Sequence, residues 1–137
     1  ANLELECNGT GGVVINTVAD ATTASTVKSV GYLGLPQSAT TTSGTLAIGD
    51  AGKHIYVTTA GQAIAIPDNG SVAYPIGTTL TFIAGPSATT VLLVINTDTL
   101  RLAGSTSTGT RTLAANGMAT AVKVASTLWY INGVGLT

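Results

Sequence analysis

A chain of 137 residues is long enough for one domain with a real core and too short for two comfortable ones. Charged residues make up 8% against 45% hydrophobic and 4% aromatic, so the apolar weight lies in Ala, Val, Ile and Leu, the reverse of a disordered composition. The net charge is −1, and Lys28, Lys53, Arg101, Arg111 and Lys123 stand singly, which excludes the dense positive footprint of a nucleic-acid binder.

The chain opens with "LELEC" (3–7), whose strict alternation predicts a half-buried strand; Cys7 lies on its apolar side. It is the lone cysteine, so no intrachain disulfide can form. "NGTGG" (8–12) signals a turn and "VVIN" (13–16) a second strand. Residues 19–24 allow a short helical turn. Gly31, Gly34 and Pro36 then make "SVGYLGLPQSATTTSG" an extended connector. Residues 1–45 are therefore expected to form a strand hairpin and arm, and 46–137 a β domain.

From 46 onwards the rhythm is regular. Short strands are expected at "TLAI", 54–59, 62–67, 72–75, 77–85, 91–96 and around Leu100–Leu102, with Gly, Asn, Asp and Pro between them. The closing stretch "ANGMATAVKVASTLWYINGVGLT" is rich in Ala, a helix former, but Asn116-Gly117 and the β-branched residues that follow predict a hairpin. Met118, Thr120, Val122 and Val124 fall on one face of it. Ala119, Ala121, Lys123 and Ala125 fall on the other, a small face suited to close approach of another sheet or subunit. Strands of this length with turns every 8–12 residues predict an all-β fold, an antiparallel sandwich or barrel-like domain.

A catalytic constellation is hard to build. His54 is the single histidine, which leaves no multi-His metal site, and it reads as a strand-entry residue satisfied by a turn carbonyl or solvent. No G-x-S-x-G elbow is present, and "GDAGKH" departs from a phosphate loop because His54 and a strand follow Lys53. Asp50, Asp68 and Asp98 occupy expected turns, where Asp bonds nearby backbone. Asn8-Gly9-Thr10 and Asn69-Gly70-Ser71 fit the glycosylation pattern but are strong turn signals. No catalytic residue, cofactor or metal is expected. No apolar run approaches the roughly 20 residues of a membrane helix, and the N-terminus lacks the pattern of a signal peptide. For sugar binding, the candidate platforms are Trp129, Tyr130, Tyr32, Tyr56 and Tyr74, against the alternative that they pack in a core or interface.

Three stretches, "SVGYLGLPQSATTTSGTLAIGDAGKHIY" (29–56), "SVAYPIGTTLTFI" (71–83) and "DTLRLAGSTSTGTRTLAANGMATAVKVASTLWYINGVGL" (98–136), resemble β-rich structural proteins of tailed bacteriophages. The pattern that carries the resemblance is the strand Ala119 to Val124, a short turn, then "W-x-I-x-G" over Trp129 to Gly133. The resemblance implies a non-enzymatic homotrimer on the virion exterior, made in the host cytoplasm. Low charge independently suggests that much surface is hidden in an assembly.

On that reading Val122, Val124, Trp129 and Ile131 are expected in an oligomer interface or packing core. Thr40, Thr41, Thr42, Thr106 and Thr108 stand in exposed Thr/Ser/Gly loops that could meet a host glycan. A tail-fibre tip is favoured; the alternatives are a capsid decoration or head-fibre protein bound to the shell, and a stand-alone carbohydrate-binding module using Trp129. Partners are then further copies and other virion proteins, with no nucleic acid and no membrane insertion.

Overall fold

The computed structural model describes residues 35–137, and everything below concerns those residues. The expected strands at 3–7 and 13–16, the helical turn at 19–24, Cys7 and Tyr32 lie outside them.

Eight strands form one sheet: β1 (Gly44–Thr45), β2 (His54–Val57), β3 (Gln62–Ile66), β4 (Thr79–Ala84), β5 (Val91–Ile95), β6 (Thr99–Leu102), β7 (Arg111–Ala125) and β8 (Leu128–Leu136). A single 3₁₀ turn, Ile48–Asp50, follows β1. The fold is all-β, as expected. "VAYP" (72–75) is a loop, since Pro75 and the Asp68 turn leave it no strand partner.

The expectation of a purely antiparallel sheet is corrected. Four of the seven strand pairings are parallel: β1 with β3, β3 with β5, β2 with β4, and β6 with β8. The three antiparallel pairings all involve β7, which joins β4, β5 and β8. The turn signals were placed well but mean something else. Gly61, with φ 71°, turns the chain between β2 and β3, yet these strands do not pair. Instead β3, β4 and β5 each return to lie parallel on the strand two before it, β1, β2 and β3 in turn. Only the last two strands form a hairpin.

Two parallel stacks result. One is β1-β3-β5; the other is β2-β4, extended by a parallel bridge between Gln37 and His54. Pairing thus begins before residue 46, the expected start of the β domain. β7 lies along the ends of both stacks: Leu113 sits beside Val91, and Thr120 beside Thr81. Between these two segments the register with β8 shifts, and Asn116 adopts φ 59°. Asn tolerates this left-handed conformation better than most residues. The irregularity gives one strand the bend needed to serve two stacks. So Asn116-Gly117 does not start the strand; it bends it.

Burial alternates along β2, β4 and β5, and the inward residues form one core. Ile55, Val57, Ile64, Ile66, Leu80, Phe82, Leu93, Leu100, Leu113, Trp129 and Ile131 are all buried in it. Ala119 and Ala121 lie inside this core, beside Phe82 and Leu80 in the ladder. The small face of the hairpin therefore faces the chain's own core, where the larger side chains of neighbouring strands fill the space. The outward face of the hairpin carries Met118, Thr120, Val122 and Val124.

Candidate functional site

Two features stand out: a buried polar and aromatic column, and an outward sheet face almost without charge.

The column begins at Asp50, whose Oδ2 accepts the backbone N–H of Ala47 at 2.8 Å and whose Oδ1 accepts the Ser38 hydroxyl at 2.6 Å. Both residues are buried. Ser38 Oγ in turn accepts the Thr40 N–H at 3.0 Å, so a turn-type aspartate anchors the segment preceding β1. The Tyr74 hydroxyl donates to the Ala47 carbonyl. Burial, and then the nearby Asp50 carboxylate, push the Tyr74 phenol well above its ordinary value of 10.0.

Tyr74 meets Trp129 edge to face, and Trp129 lies under Lys123, whose Nζ stands 5.6 Å from its ring centroid. Lys123 is 1% exposed. Its Nζ donates to Asn69 Oδ1 at 2.7 Å, while the Asn69 backbone N–H donates to buried Asp98 at 3.1 Å. Trp129 Nε1 has no hydrogen-bond partner among the described residues.

The outward face is built in rows across β4, β7 and β8. Ile83, Met118 and Val134 form the first row; Thr81, Thr120 and Asn132 the second; Thr79, Val122 and Tyr130 the third. The Thr81 and Thr120 hydroxyls meet at 3.2 Å. Arg101 reaches Tyr130 from β6, donating to its hydroxyl at 3.3 Å, and is the charged residue of these rows. Met118 and Val134 are 55% and 82% exposed. The two lie on adjacent strands, so their open apolar side chains stand side by side on this face.

The residues singled out from the sequence thus separate. Trp129 and Ile131 are buried inside the chain's own core; Val122 is half-buried and Val124 exposed on the outward face. Trp129 cannot serve as a sugar platform from that position, nor can Tyr74, which is 3% exposed. Thr42, Thr106 and Thr108 are exposed, Thr40 and Thr41 partly so. The two Thr/Ser loops are not brought together by strand pairing. One precedes β1 and the other follows β6, the opposite ends of the path β1-β3-β5-β7-β8-β6.

His54 Nδ1 pairs with the Leu35 carbonyl at 3.0 Å, the backbone role expected of it. Asp68 caps its own turn through Ser71. Asp98 stands in the bend between β5 and β6, as expected, but its carboxylate accepts from Asn69 across the fold rather than from nearby backbone. Among the described residues no three of His, Cys, Asp and Glu gather as metal ligands, and no helix is long and apolar enough to cross a membrane.

Sequence reasoning missed the pairing of Lys123 with Asn69. The signal was available: Lys123 shares strand parity with Ala119 and Ala121, so burying those alanines buries the lysine with them. Compared with known proteins, the chain matches no family model, no curated protein and no solved structure.

Proposed function

We propose that this chain is a non-enzymatic structural protein of a tailed-bacteriophage virion, assembling as a homotrimer on the particle exterior as a tail-fibre tip. The observation that supports the assembly is the outward face, where Met118 and Val134 stand open beside half-buried Ile83 and Val122, apolar surface that further copies would cover. The resemblance of residues 29–56, 71–83 and 98–136 to phage structural proteins supplies the setting. A low overall charge supports it, since a face covered by further copies needs no charge to stay in solution. The exposed Thr42, Thr106 and Thr108 remain the loop residues free to meet a host glycan.

The test is molar mass in solution by light scattering. Three chains per particle is the expected result, and a monomer at working concentration overturns the reading. Antibody labelling of imaged particles then distinguishes a tail tip from the capsid lattice, where a decoration protein would lie.

A further inference from the structure

Lys123 presents an unusual arrangement of reactive groups. Its amine is withdrawn from water, flanked on one side by the Trp129 ring, and held 2.7 Å from the side-chain oxygen of Asn69. The carbonyl carbon Cγ lies one bond beyond that oxygen. Asn69 is itself fixed, because its backbone N–H is tied to buried Asp98. Such fixing of two partners replaces a bimolecular encounter by a unimolecular step. Lys123 has a second peculiarity: a buried ammonium is costly unless paired, and its hydrogen-bond partner is a neutral amide.

We propose that Lys123 and Asn69 join in an intramolecular isopeptide bond. The Nζ lone pair attacks Asn69 Cγ, and the Nζ–Cγ bond forms as the Cγ–Nδ2 bond breaks. The side-chain nitrogen of Asn69 leaves as ammonia and carries off the proton that the Lys123 ammonium sheds, so ammonium is the one product released. No electrons are transferred and no oxidant, metal or cofactor is consumed. The product is a neutral secondary amide, which removes the cost of holding a charged amine in the core. It ties the loop before β4 to β7, closing 54 positions of chain.

This proposal does not depend on the function proposed above. Its test is mass spectrometry of the whole purified chain, then of its tryptic peptides after denaturation. The expected intact mass is short by one ammonia. Trypsin should cut after Lys53, Arg101 and Arg111 but not after Lys123, leaving segment 112–137 joined to segment 54–101 as one branched species. Lys123→Met and Asn69→Ala should each restore the full mass.

Two results overturn the proposal, and both are read on the unaltered protein, so a variant that fails to fold does not blur them. One is the full sequence mass with free cleavage after Lys123. The other is loss of ammonia with normal cleavage after Lys123, the mark of a succinimide at Asn69-Gly70.

Discussion

The rings of Tyr74 and Trp129 meet edge to face, centroids 5.6 Å apart and planes at 88°. A tyrosine from the loop before β4 and a tryptophan from β8 thus close one end of the core together. Replacing Trp129 by Ala removes the largest fully buried side chain and should cost about 3–5 kcal/mol. Trp129→Phe should cost less, because Nε1 has no partner to lose. Midpoints of urea unfolding measure both, and a midpoint unchanged by Trp129→Ala would contradict this packing.

Alkaline pH should weaken the fold through Tyr74. Its phenol is held above 10.0 in the folded chain by burial and by Asp50, so folding favours the neutral form. That contribution is complete below pH 10.0 and is lost as pH rises from there through the folded value. Tyr74→Phe should lower neutral-pH stability by about 1 kcal/mol, from the lost bond to Ala47, and flatten the alkaline decline. Unfolding midpoints recorded from pH 8 to 11 should show the two curves converging at the alkaline end.

Gly133 tolerates no side chain. A Cβ there would overlap Met118 O and Ala119 Cα on the neighbouring strand. Gly133→Ala should destabilise by about 1–3 kcal/mol, as overpacking does. Amide exchange should locate the damage at the pairing of Ala119 with Gly133.

Asp50 holds two donors with one carboxylate, Ala47 N–H and Ser38 hydroxyl. Asp50→Ala should leave both without their partner and cost about 2–3 kcal/mol. Faster amide exchange at Ser38 to Thr40 would show that the segment before β1 has lost its anchor. Unchanged exchange there would deny the aspartate that role.

The outward face should respond in the opposite way. Met118→Lys and Val134→Lys lie on exposed positions, so each should change chain stability by no more than about 0.5 kcal/mol. If the chain assembles as the proposed trimer, the two together should lower the solution mass from three chains to one. Retention of the trimer would move the interface elsewhere.

Much of this architecture was legible from strand chemistry. The alternation of "TLTFIA" and the apolar "VLLVI" placed β4 and β5 within a residue or two. The closing hairpin followed from Val122, Val124, Leu128 and Ile131 despite its alanines. Partner choice was not legible. Gly61 turns the chain equally well into a hairpin or on to another partner, and only distant contacts, such as Gln62 beside Val91, decide between them. The same limit hid the column: Lys123 and Asn69 meet because β7 passes the loop before β4, which no local pattern encodes.

The position of β7 and β8 has a consequence for biosynthesis. β4 and β5 each gain a strand partner from β7, near the chain's C-terminal end, and Trp129 arrives later still with β8. A nascent chain halted before Arg111 would therefore leave β4 and β5 each with an open edge, β6 with no strand partner, and no tryptophan to close its core. Such edges are templates for pairing with other chains. Completion of the fold must await emergence of the last hairpin from the ribosome, and products truncated before it should collect in aggregates.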